Sequence, residues 1–183
     1  MTKTITTKKV AKTPKQASKT IKKTEKAPEA PVLTRTKSGS NLILDLCLLM
    51  DCTSSMGDWI ERSKETLNEI IDAVKSQNTG LKVRVSFVGY RDIKDKERFT
   101  ILEFTEDIEL VKIFIGNTRA KTQDSASDFP EDVQGGFNEA LKLNWLNNSI
   151  KQAFLICDAP GHGKDLTTIR DNYPEGSPDG FKI

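Results

Sequence analysis

The sequence predicts a doubly wound α/β sheet, on three observations. A nearly continuous apolar run, Leu42 to Met50, reads as a strand buried on both faces. It leads through the turn Asp51-Cys52-Thr53-Ser54-Ser55 straight into a helical pattern, and further strand and helix patterns alternate after it. Sheets wound this way bind ligands at the carboxyl ends of their strands, where this turn falls.

The elements follow in order. Ile60, Leu67, Ile70, Ile71 and Val74 recur at helical spacing through about Gln77, opposite a charged face that includes Glu61, Arg62, Glu65 and Asp72. Asn78-Thr79-Gly80 ends that helix. Leu81 to Tyr90 alternates as a second strand, and residues 91–97 form a charged loop. Arg98 to Phe104 reads as a short edge strand before a brief helix, with Thr105 as its cap and Ile108, Val111, Phe114 and Ile115 as its apolar stripe. A polar segment, Asn117 to Ser127, precedes Asp128-Phe129-Pro130-Glu131-Asp132. Pro130 suits the first turn of a helix, and Glu131 and Asp132 its positive end. Val133, Phe137, Ala140 and Leu141 continue that helix, in which Gly135 and Gly136 predict the close approach of another backbone. Ile150 and Ala153 to Cys157 form a last apolar strand ending at Asp158. The final twenty residues carry turn chemistry and predict little order of their own.

The chain has 183 residues, enough for one domain with a core, and a net charge of +2 that conceals a split. Residues 1–40 hold eleven Lys and Arg against Glu25 and Glu29, leaving 17 basic and 24 acidic groups for the rest. That first stretch is rich in Lys and Thr, lacks aromatics and has no apolar period, so it predicts a disordered basic tail. Nucleic acid or an anionic surface could be met through the tail, although no aromatic or Arg-rich pattern accompanies its charge. No apolar run is long enough to cross a membrane and no signal peptide opens the sequence. The three cysteines form no disulfide framework, which predicts a reducing, cytoplasmic setting.

Asp51, Thr53 and Ser55 stand at i, i+2 and i+4, so one turn can aim a carboxylate and two hydroxyls the same way. Three hard oxygens suit Mg²⁺, with water completing the octahedron; the same residues also suit a helix N-cap, and the turn alone leaves both open. Two further loops at strand ends, around Asp128–Asp132 and Asp158, bring acidic oxygens that could converge on the turn, and this favours the metal reading.

From about Asn41 onward the chain resembles a von Willebrand factor A domain, and more narrowly the subgroup joined to alpha-type (atypical) protein kinases. The residues that carry the likeness are Asp51 to Met56, Gly89-Tyr90-Arg91-Asp92, Asp128 to Val133 with Gly135-Gly136, and Asp158-Ala159-Pro160 with Gly161-His162-Gly163. The resemblance implies a Rossmann-like, mostly parallel sheet carrying Mg²⁺ or Mn²⁺ in a metal-ion-dependent adhesion site. Asp51, Thr53 and Ser55 would be direct ligands, and Asp158 would hold a metal-bound water. Where most members have a threonine in the second loop, this chain has Asp128-x-Pro-Glu131; Asp128 is the first choice as ligand and Glu131 the second. Members also continue through one further helix–strand–helix unit, so residues 41–183 are expected to form a domain truncated at its C-terminus.

The expected function is a non-catalytic, cation-dependent protein-binding module whose partner offers an acidic side chain. The alternative is the regulatory N-terminal part of an alpha-type protein kinase, and a weaker one is binding through the tail. Catalytic patterns fail one by one. Asp58 stands where C-x₅-R needs its arginine, Thr53 breaks D-x-D, Leu166 replaces the third glycine of a dinucleotide fingerprint, and no P-loop exists. His162, the chain's one histidine, could stand at the rim of the metal site but reads first as a loop residue fixed by its flanking glycines; Tyr90-Arg91-Asp92 could be a recognition surface but reads first as an exposed strand-end ion pair. Trp59 and Trp145 read as packing residues.

Overall fold

A computed structural model describes residues 42–77, 80–121 and 128–179, all within the compact unit Gly39–Ile183. The expectations for the tail, residues 1–40, and for residues 122–127 lie outside the described residues.

The apolar run forms β1 (Ile43–Asp51), and the turn closes as one turn of 3-10 helix, Ser54–Met56, leading into α1 (Gly57–Gln77). β2 (Lys82–Tyr90), β3 (Phe99–Thr105), α2 (Ile108–Asn117), α3 (Val133–Lys142) and β4 (Ile150–Ile156) follow. The sheet order is β3-β2-β1-β4, with β1 parallel to both β2 and β4, and β3 antiparallel to β2. Alternation along β1 divides its side chains between two cores. Leu44, Leu46, Leu48 and Met50 pack with Ile60, Leu67 and Ile71 of α1 and Val111 and Ile115 of α2. Cys47 and Leu49 pack on the opposite face with Val88, Tyr90 and, from α3, Ala140. The sheet is therefore α/β with helices on both faces, in the doubly wound manner.

Several local expectations change under tertiary contact. α2 is capped by Asp107, whose carboxylate accepts the Leu110 N–H, because Thr105 ends β3 and spends its hydroxyl on the Asp107 N–H. α3 begins at Val133, not at Pro130. Glu131 is drawn into a parallel bridge with Gly161, its N–H bonded to the Pro160 carbonyl, and this holds the preceding backbone extended. Asp132 then caps the helix through the Gly135 N–H. The close approach at the two glycines comes from side chains: a Cβ on Gly135 would meet the Asp132 carboxylate, and one on Gly136 would lie 2.8 Å from the Tyr90 ring. Trp59 is 53 % exposed, whereas Trp145 packs edge-to-face on Phe104 and donates to the Ala140 carbonyl.

β4 is an edge strand among the described residues, and Ile150, Phe154 and Leu155 are exposed. Asp45, inside the apolar run, is wholly buried. It is reconciled by Arg84 at 3.1 Å, the Leu146 N–H at 2.8 Å and the Ser149 hydroxyl at 2.8 Å.

Candidate functional site

The parallel strands β1, β2 and β4 end at the same edge of the sheet, which brings Asp51, Asp92 and Asp158 to one side. Asp51 is fully buried; its Oδ1 accepts the Thr53 N–H at 2.8 Å and the Thr53 hydroxyl at 2.7 Å. The Thr53 hydroxyl lies 3.2 Å from that of Ser55, which donates to Asp158 Oδ1 at 3.1 Å. The spacing of the turn thus aligns a carboxylate, two hydroxyls and a second carboxylate from β4's end. Asp51 Oδ2 is buried without a hydrogen-bond partner. Burial raises the Asp51 carboxyl above its ordinary range despite the Thr53 bonds that oppose the shift.

The second loop places its two acids differently. Glu131 is 6 % exposed, and its Oε2 is also buried without a partner. Burial first, then the charges of Asp51 and Asp92, push its carboxyl up to about 9, against the lowering effect of a hydrogen bond with Thr53. Glu131 therefore belongs with the turn. Asp128 is half-buried and faces elsewhere: Oδ2 accepts the Asn172 N–H, and its carboxylate lies with Asp92 and His162. The bridge between Glu131 and Gly161 explains the division, because it fixes Glu131 against the loop that follows β4.

Three other residues at this edge behave unlike their sequence reading. Tyr90, Arg91 and Asp92 are buried, and Arg91 and Asp92 have separate partners. Arg91 donates to the carbonyls of Glu97 at 2.6 Å and Arg119 at 3.0 Å, and Asp92 lies 2.9 Å from His162 Nε2. His162 is fully buried between Asp92 and Asp171. Burial works against its charge, but the bonds to the two carboxylates outweigh burial and raise its pKa. The described residues after β4 form no helix or strand, yet they are ordered by these bonds and by an Arg98 fork to Asp132, Ser177 and Asp179. A hint of this lay in Gly161-His162-Gly163, since Gly163 adopts φ +130 to turn the chain, and in the Gly89-Tyr90-Arg91-Asp92 strand end; Asp171 gave no local signal.

Cys52, in the middle of the turn, is fully buried, and burial pushes its thiol up to about 12. It is no thiolate nucleophile at neutral pH. The arrangement is thus an oxygen-rich, acidic ligand edge on an α/β sheet.

The chain's similarities follow this architecture. No protein-family model matches it. It is homologous to part of the Alpha-protein kinase vwkA of Dictyostelium discoideum, with 32 % identity over 164 residues, 88 % of this chain and 26 % of that protein. It is 28 % identical over 131 residues to a protein of Acanthamoeba polyphaga mimivirus named as an ariadne-like RING finger protein (R811), covering 72 % of this chain and 12 % of that one. The chain thus spans about a quarter or less of the length of these relatives. Among solved structures, the open conformation of the pilus adhesin SpaC from Lactobacillus rhamnosus GG superposes with a TM-score of 0.47 at 14 % identity, over 68 % of this chain and 16 % of that one.

Proposed function

We propose that this chain is a non-catalytic, divalent-cation-dependent protein-binding module of the von Willebrand factor A type. The observation that carries the reading is a pair of buried carboxyl oxygens, Asp51 Oδ2 and Glu131 Oε2, left without partners beside the hydroxyls of Thr53 and Ser55. Burying an unpartnered carboxylate is costly, and a hard cation answers the cost for both at once. Asp51, Thr53, Ser55 and Glu131 would hold Mg²⁺, or Mn²⁺, directly, and Asp158 would do so through water. When bound, the cation supplies a Lewis-acid position for an acidic oxygen from a protein partner. The residues themselves shape and charge that edge: Asp51 orders the turn through Thr53, and Ser55 ties it to Asp158. The acidic second loop leaves more negative charge there than a threonine would, which weakens attraction for an acidic partner while tightening the cation.

Thermal unfolding in EDTA and in millimolar Mg²⁺ or Mn²⁺ tests the reading. At a hundred times its dissociation constant the cation stabilises wild type by about 2.7 kcal/mol, and Asp51→Ala loses that gain. A folded wild type with no cation-dependent shift overturns it.

The identity to an alpha-protein kinase favours a second reading, in which this chain is a regulatory part of such a kinase. The full transcript decides between them. A kinase domain encoded in the same frame supports the second reading, and a stop directly after Ile183 removes it.

A further inference from the structure

His162 is the single histidine of the chain and is fully buried. Its Nδ1 lies 2.7 Å from Asp171 Oδ1. Asp171 is anchored in turn, accepting the Gly163 N–H on Oδ2 and the Tyr173 N–H on Oδ1, each at 2.7 Å. A carboxylate fixed this way accepts the hydrogen bond of a protonated Nδ1 and aims the second ring nitrogen inward. Metal-binding histidines are held by such an outer carboxylate, which sets tautomer and orientation and raises the basicity of the inner nitrogen.

Nε2 lies 2.9 Å from Asp92 Oδ1, and ligand atoms of Asp92, Asp128 and His162 all lie within 4.8 Å of one another. Asp128 Oδ1 is buried and has no hydrogen-bond partner. Two carboxylates facing an imidazole nitrogen require positive charge among them. A proton on Nε2 serves Asp92 and leaves Asp128 Oδ1 unanswered, whereas a cation engages all three groups.

We propose that Asp92, Asp128 and His162 form a second cation site, of transition-metal type, with Asp171 as its outer carboxylate. The donor set separates it from the oxygen-only turn: imidazole suits Zn²⁺ and its first-row neighbours better than Mg²⁺. Three protein ligands leave a further position for water. A metal here joins the end of β2, the second loop and the segment after β4, so it acts as a structural clasp on the ligand edge. The inference stands apart from the Mg²⁺ reading, because the two sites share no proposed ligand.

The test is calorimetric titration of the full chain with Zn²⁺ in a large excess of Mg²⁺, in a Cys157→Ser background that removes the exposed thiol. One equivalent is expected to bind and to shift the ¹⁵N signals of the only imidazole. Asp128→Asn keeps an acceptor for the Asn172 N–H and is expected to weaken Zn²⁺ at least tenfold. Asp171→Asn is expected to weaken it by about 10–100-fold. Asp51→Ala is expected to leave Zn²⁺ binding intact while removing the Mg²⁺ response. The proposal is overturned by failure of the folded protein to bind Zn²⁺, by an unmoved imidazole signal, or by equal affinity in Asp128→Asn. Zn²⁺ binding that disappears with Asp51→Ala assigns the ion to the turn and also overturns it. If His162→Gln fails to fold, Asp128→Asn still decides.

Discussion

Glu131→Gln separates the charge of the second-loop carboxyl from its shape. In the folded protein this group is raised from 4.5 to about 9, first by burial and then by Asp51 and Asp92. A folded value above the unfolded one means that the folded protein holds the extra proton across that window. The associated stability is fully present below about pH 4.5 and is lost as pH rises towards about 9. Each unit inside the window costs about 1.4 kcal/mol, so raising the cation-free protein from about pH 5 to about pH 8 removes up to about 4 kcal/mol. That is a large share of the roughly 5–15 kcal/mol that holds a domain folded. Urea unfolding followed by circular dichroism, at several pH values in EDTA, measures the slope. Wild type should lose stability steeply with rising pH, and Glu131→Gln much less. His162 acts in the same direction but is present in both proteins, so the difference isolates Glu131. Saturating Mg²⁺ should flatten the wild-type slope, since a cation replaces the proton as the partner of the carboxylate. Parallel profiles for the two proteins in EDTA would refute the reasoning.

Three further outcomes are expected. Asp45→Ala takes the counter-charge from Arg84 and the acceptor from the Leu146 N–H, while the Ser149 hydroxyl keeps the Leu146 carbonyl, and should cost about 3–5 kcal/mol in urea unfolding; a loss below about 1 kcal/mol counts against a buried pair. Gly136→Ala drives a methyl to 2.8 Å from the Tyr90 ring and should destabilise by about 1–3 kcal/mol, whereas Gly57→Ala, with open space at the site, should not show a steric penalty. Iodoacetamide on the native protein should label Cys157 and spare Cys47 and Cys52, which are buried; peptide mass mapping reads this directly, and fast labelling of Cys52 contradicts its burial.

What the sequence by itself determined is local. The run from Leu42 to Met50 reads as a strand covered on both sides, and its passage through Asp51-Cys52-Thr53 into a helical stripe points to a parallel α/β arrangement. The proximity of Asp51, Thr53 and Ser55 follows from their spacing, because a single turn delivers all three. Tertiary structure decided what depended on residues far apart in the chain. The sequence ranks Asp128 ahead of Glu131 as the second-loop ligand, whereas the bridge to Gly161 fixes Glu131 beside Thr53 and leaves Asp128 beside Asp92 and His162. His162 against Asp92, and Asp45 beneath Arg84, likewise join positions 70 and 39 residues apart. No window of sequence contains such pairs. Burial and charge select among chemically similar side chains only once the strands have brought their ends together.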